Sequence, residues 1–219
     1  MPPKAKFTRE EIVSAALDIV RRGGPESLTA RELGAELKSS ARPIFTAFQN
    51  MEEVREAVLA AARALYNGYV REGIAGEKKF KGVGLAYIRF AQSEPKLFQL
   101  LFMREQSVTP PLNEVLASLD PNYTEILQAV SEDYGLRGES ARKLYRHLWI
   151  YTHGIAVLCA TKVCSFTGAE IGSMLDLVCQ SLLRFGLNQG VGTPGVKAPE
   201  PAGHAVQSAA EREPSSGGS

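Results

Sequence analysis

Apolar positions recur at helical spacing through most of this chain, and no stretch alternates with the period of two that a half-buried strand requires. Over residues 9–22 they fall at Ile12, Ala15, Ala16, Ile19 and Val20, one helical stripe that Gly23-Gly24-Pro25 ends. Over 28–37 a second, short helix follows. Thr29 is placed to cap it, Glu32 to complete a capping box at the Thr29 amide, and Leu28 to staple against Leu33. Lys38-Ser39 breaks that spacing. Ser40 is placed to cap a third helix, with Pro43 in its first turn and Ile44, Phe45 and Phe48 on its inward face. Two short helices meeting at an angle make a helix-turn-helix. Its outward groups, Ser40, Ala41, Arg42 and Thr46, are small and polar with one forked cation, a set that suits a DNA major groove.

Asn50, with Glu53 in capping-box position, opens a long helix through Val54, Ala57, Val58, Ala61, Leu65 and Tyr66 that ends around 73–76. A helix shared between the head and the rest of the chain is a lever whose tilt changes the spacing of two heads in a dimer. The pattern stays helical from Phe80, divides at Glu94-Pro95, and continues nearly apolar all round through 97–103. Residues 108–121, with three prolines, read as a loop holding a short helical piece. Residues 122–134 form a helix closed by Gly135 and Gly138; 139–164 form the longest apolar-rich helix; and 170–187 follow a break at 165–168. Leu144, Leu148, Ile155, Leu158 and Cys159, with Ile171, Met174, Leu175, Val178, Leu182 and Leu183, supply broad stripes on the last two helices, enough to pack inward and to meet a partner. From 190 the chain turns rich in Gly, Pro, Ala and Ser, so 189–219 is expected to be a disordered tail.

With 219 residues, 44% of them hydrophobic and 22% charged, the chain is a globular protein rather than a disordered one. A net charge of +1 gives no bulk attraction to nucleic acid, so any DNA affinity has to come from locally placed cations. The opening six residues lack an apolar signal region and no apolar run approaches bilayer length, which predicts a cytoplasmic protein with no membrane partner. The three cysteines argue against a disulfide framework. Cys159 and Cys164 do not share a helical face and His153 lies on another turn, so no catalytic residues, no metal site and no cofactor are expected, and the cysteines read as buried small hydrophobes.

The residues around the helix pair resemble the DNA-binding domain of the TetR family of bacterial transcriptional regulators over roughly 7–60. The resemblance rests on Phe7-Thr8-Arg9-Glu10-Glu11-Ile12, Ala15-Ala16-Leu17, Gly24, Leu28-Thr29, Arg31-Glu32-Leu33, Ser40, Ile44-Phe45, Phe48 and Asn50-Met51-Glu52-Glu53-Val54. It implies an all-α fold with a flexible basic arm at 1–6, a three-helix helix-turn-helix DNA-binding domain at 7–53 and a helical ligand-binding and dimerisation domain at 54–188. The residues then expected at a palindromic double-stranded DNA operator are Lys4, Lys6, Thr29, Arg31, Ser39, Ser40, Ala41, Arg42, Pro43, Phe45 and Thr46, with Arg9 and Lys38 as further cations. Members of that family usually place a Tyr, a His and a Lys where this chain has Phe45, Ala47 and Met51. Losing those phosphate contacts predicts a shallower salt dependence of binding.

Trp149-Ile150-Tyr151-Thr152-His153-Gly154 resembles the signature of a C-terminal domain class in the same family, called WHG, and the segments on either side of Glu94-Pro95 resemble its preceding helix pair. That resemblance implies a ligand-responsive homodimer acting more often as a repressor than an activator. Tyr87, Phe90, Phe98, Phe102, Trp149, Tyr151 and Phe166 offer more aromatic surface than closing a small bundle requires, and His153 can orient a polar group. The expected ligand site is therefore Tyr87, Phe90, Phe98, Phe102, Trp149, Tyr151 and His153, and the expected effector a small apolar or aromatic molecule. The competing expectation is a dimeric ligand- or protein-binding module whose head has lost DNA affinity through Phe45, Ala47 and Met51.

Overall fold

The computed structural model describes residues 6–105, 109–112 and 114–186; Lys4 of the arm and the expected tail lie outside these residues. Among the described residues the fold is all-helical: α1 Arg9–Gly23, α2 Ala30–Glu36, α3 Ile44–Ala47, α4 Met51–Ile74, α5 Lys79–Ser93, α6 Pro95–Phe102, α7 Val115–Leu119, α8 Tyr123–Tyr134, α9 Gly138–Ala160 and α10 Gly168–Ser181. No helix of the described residues is long and apolar enough to cross a membrane.

Local chemistry explains most boundaries. Thr8 and Glu11 form a reciprocal capping box at the start of α1, with acids in its first turn and Arg21 and Arg22 in its last, as the helix dipole favours. Its stripe Ile12, Ala16, Ile19 and Val20 is buried. Thr29 caps α2, its hydroxyl oxygen accepting from the Glu32 amide at 3.1 Å. The box there is not closed, because the Thr29 amide already donates to the Ser27 carbonyl at 3.1 Å. Lys38, at φ +49, ends α2 in the left-handed region. Ser39 N donates to the Gly34 carbonyl and Lys38 N to that of Ala35, each at 2.9 Å, which is the Schellman pattern. The chain then folds so closely over α2 that a Cβ on Gly34 would lie 3.0 Å from the Ala41 amide nitrogen.

The third helix is a single turn. Ser40 does not cap it; instead Ile44 N donates to the Ala41 carbonyl at 3.1 Å and Pro43 precedes the first helical residue. Ile44 and Phe48 are buried as expected, but Phe45 is 46% exposed, because one turn leaves only Ile44 facing the core before the chain extends at Phe48. Asn50 caps α4 through the Glu53 amide at 2.9 Å, while Glu53 reaches back one residue further than a capping box requires, to Gln49 N at 2.7 Å.

α4 buries Val54, Val58, Ala62, Tyr66 and Val70, and its 24 residues span about 36 Å at the standard rise. It ends at Ile74, within the expected range, and just before its end the α4 and α5 backbones touch: a Cβ on Gly73 would lie 2.6 Å from the Gly82 carbonyl oxygen. α5 is the central element, packed against α4, α6, α8 and α9, with α10 against its outer side. α9 ends at Ala160, four residues short of expectation, through a second Schellman turn on Lys162 at φ +59. Cys164 is consequently exposed rather than a buried hydrophobe, whereas Cys179 is buried. α10 opens with a capping box at Thr167 and Glu170 and gives way to a wider π turn at Leu182–Gly186.

Candidate DNA-reading head and ligand cavity

The outward surface of the head gathers most of the residues expected at DNA. Arg31, Ser40, Arg42, Phe45 and Thr46 are exposed; Ser39, Ala41 and Pro43 are half-buried. Lys6 sits against the turn, its ammonium donating to Ser39 Oγ at 2.9 Å and lying 5.3 Å from the Phe7 ring centroid. Thr29 is exposed but its oxygen serves as a cap, and Thr46 donates its hydroxyl to the Pro43 carbonyl at 2.6 Å.

Arg9 is committed to the fold rather than to a free arm. Its guanidinium covers the Phe48 ring at 4.0 Å, donates to the Ala47 carbonyl at 2.9 Å and pairs with Glu53 at 2.8 Å. The Gln49 amide and Arg9 together hold the Glu53 carboxyl below the usual carboxylate range. One side chain thus clamps the recognition turn to the start of α4.

The head also meets the body through Arg21, whose Nε donates to Glu94 Oε2 at 3.0 Å beside its bond to Asp18, at the junction of α5 and α6. Gln99 on α6 carries the connection onward, donating to the Ala160 carbonyl at the end of α9 at 2.8 Å.

Inside the body lies a cavity of about 50 Å³ among α4, α5, α9 and α10, room for a few water molecules and far below an open ligand pocket. Its wall includes Tyr66, Phe80, Tyr87, Tyr145 and Trp149, with Lys81 and Asp176 at one side and Asp120 at another. Tyr66 and Tyr87 meet edge to face at 5.9 Å, and Phe80 and Tyr145 at 5.8 Å. Asp120 is buried at 4% exposure and accepts from Tyr66 Oη at 2.9 Å, the Asn122 amide at 2.9 Å, Asn122 Nδ2 at 3.1 Å and, at longer range, Tyr145 Oη at 3.4 Å. Burial, and after it the charge of Asp120, push the Tyr66, Tyr87 and Tyr145 hydroxyls well above the ordinary tyrosine range, so all three stay protonated donors.

Of the seven residues expected at a ligand, Tyr87 and Trp149 line this cavity. Phe90 and Phe98 are fully buried in the core, and Phe102 packs on the Tyr66 and Tyr87 rings from outside the cavity wall. His153 stands behind the wall, stacked on Trp149 at 5.0 Å and joined to Tyr87 Oη through Nδ1 at 2.9 Å; Tyr151 is half-buried and is not part of the lining. Asp120, Tyr66 and Tyr145 are lining residues that periodicity did not single out as a site. Their signal is the hydroxyl of a tyrosine on an inward helical stripe, which has to find a buried acceptor.

Two short helices joined by a tight turn, with an exposed cationic and polar surface, thus lead through one long helix to an aromatic-walled helical body. Residues 80–182 match the family model described as tetracyclin repressor-like, C-terminal domain. The chain is 29% identical over 170 residues to an uncharacterized HTH-type transcriptional regulator of Mycobacterium tuberculosis, covering 73% of each chain. Its fold is similar to that of the fatty acid degradation regulator FadR from Bacillus halodurans, at a TM-score of 0.50 and 14% identity over 84% of this chain and 96% of that one. The family model and the sequence relative support a TetR-like transcriptional regulator, and the structural likeness bears on the fold alone.

Proposed function

We propose that this protein is a homodimeric repressor that binds a palindromic operator and is released by a small, largely apolar or aromatic effector entering the cavity among α4, α5, α9 and α10. One observation carries the reading: α4 contributes to both sites. Its start holds Arg9 through Glu53, and its middle places Tyr66 in the cavity wall against Asp120. An effector that separates the walls displaces Tyr66, and α4 transmits the displacement to the recognition turn.

At the DNA, Arg31, Lys38 and Arg42 are the exposed cations available to phosphates or a guanine edge, and the exposed ring of Phe45 suits a thymine methyl. Ile150, Leu158 and Leu177 on the outer faces of α9 and α10 form the self-complementary surface of a two-fold dimer. Gly154 lies between the first two with open space over its Cα, so a partner helix can approach closely.

A salt titration on the DNA flanking the protein's own gene tests the reading, with Arg42→Ala as control. Specific binding that falls with salt and weakens in Arg42→Ala supports it. Absence of specific binding at low salt favours the second reading, a dimeric ligand- or protein-binding module. That alternative draws on Phe45, which has no hydroxyl for a phosphate, and on Arg9, which is occupied within the head.

A further inference from the structure

We propose that the cavity receives the ammonium group of an amphiphilic organic amine, held by the Asp120 carboxylate within a box of aromatic rings. The proposal deepens the effector reading above and rests on it for its regulatory meaning.

The first observation is the state of Asp120. It is buried, yet each of its partners is a neutral donor: two tyrosine hydroxyls and the amide groups of Asn122. Among the described residues no lysine, arginine or histidine pairs with it. A carboxylate withdrawn from water without a counter-cation is costly, and a ligand that supplies the cation recovers that cost on binding.

The second observation is the wall. Tyr66, Phe80, Tyr87, Tyr145 and Trp149 surround the same space, and aromatic faces attract a desolvated ammonium. Lys81, the only cation in the lining among the described residues, is already paired with Asp176 at 2.6 Å, so Asp120 has no cationic partner there. An anionic ligand would have to displace Asp176 from Lys81 and still sit near Asp120. A cation meets no such barrier.

The third observation is size. About 50 Å³ accommodates a compact charged head and not a drug-sized body. The apolar remainder of the ligand therefore requires the walls to part. Lys81 and Asp176 are both partly exposed, so this side of the cavity reaches the surface, and parting α5 from α10 there admits the ligand.

Trp149 is the only tryptophan of the chain and lines the cavity, so its fluorescence reports occupancy directly. The full chain is titrated with phenethylammonium, phenethyl alcohol and phenylpropionate, which share a body and differ in charge. The expected result is binding of the ammonium about tenfold or more tighter than either other probe, the size of one charge-assisted hydrogen bond, with Asp120→Asn abolishing the preference. Equal or tighter binding of the alcohol or the carboxylate overturns the proposal, as does no response to the ammonium up to millimolar concentration or an unchanged preference in Asp120→Asn. Should Asp120→Asn fail to fold by circular dichroism, the ranking of the three probes on the natural chain decides. Operator binding is measured in parallel on the same preparation. Ammonium preference without DNA binding removes the regulator and keeps the cavity assignment; DNA binding without ammonium preference does the reverse.

Discussion

Arg21 on α1 and Glu94 at the start of α6 are 73 residues apart in sequence and meet at 3.0 Å, tying the N-terminal helices to the helical body. Glu94→Ala should lower stability by about 1 kcal/mol or less, since the pair is partly solvated and Arg21 keeps Asp18. Its larger effect should fall on coupling: α1 amides exchange faster, and the effector concentration that releases DNA shifts. Unchanged α1 exchange in Glu94→Ala would reduce the pair to surface decoration.

Much of the scaffold is legible without coordinates, because it is written in short-range chemistry. Asn50 announces α4, Pro95 divides α5 from α6, and the stripe of α1 falls where its spacing places it, whereas on α4 Val54, Val58 and Tyr66 are buried as expected but Ala62 and Val70 are buried in place of Ala57, Ala61 and Leu65. The misreadings share a cause, which is that the deciding partner is remote or the terminator unusual. α9 ends on a lysine in a left-handed conformation that is read from sequence as glycine's, so it is read four residues too long. Phe45 lies on a one-turn helix too short for periodicity to fix its phase. Asp120 lies in a proline-rich stretch that reads as loop, and only folding brings Tyr66 and Tyr145 to it.

The contact between Gly73 and Gly82 makes a second prediction. A methyl group on either residue has backbone, not a yielding side chain, in its path. Gly82→Ala should therefore destabilise by about 1 to 3 kcal/mol, as overpacking does, despite alanine's better helix propensity. Gly68→Ala on α4, with nothing within 4 Å, is the internal control and should leave the urea midpoint unchanged or slightly raised. Equal midpoints for the two variants would show that α4 and α5 can separate at little cost.

His153 predicts a pH dependence. Burial lowers its pKa below the ordinary value of 6.5, and its Nδ1 meets the Tyr87 hydroxyl, itself held protonated, at 2.9 Å. Below pH 6.5 the unfolded chain takes up a proton that the folded chain still refuses, so the unfolded state binds more protons and stability falls with falling pH. The loss starts near 6.5 and ends once pH has passed the lower folded value. Melting temperatures between pH 7.5 and 5.5 should drop less in His153→Gln than in the natural chain. A parallel decline in both would assign the acid sensitivity to other groups.

The last prediction concerns assembly. Leu177 is 68% exposed on the outer face of α10, while Ile171, Leu175 and Cys179 of the same helix are buried against the body. The helix therefore carries one apolar face satisfied within the protomer and, opposite it, one large apolar side chain open to water. On α9 the same division separates buried Leu144, Leu148 and Ile155 from exposed Ile150 and Leu158. Leu177→Glu places a charge on the open face without touching the inner one, so protomer stability should change by no more than about 0.5 kcal/mol, as for an ordinary surface substitution. At a two-fold interface each substitution is felt twice, and burying two unpaired carboxylates opposes association strongly. Sedimentation should then give a monomer for Leu177→Glu and a dimer for the natural chain. Operator affinity should fall with it, because half-sites about 34 to 36 Å apart require both heads on one rigid body. A Leu177→Glu variant that sediments as the natural chain does would move the interface away from α10.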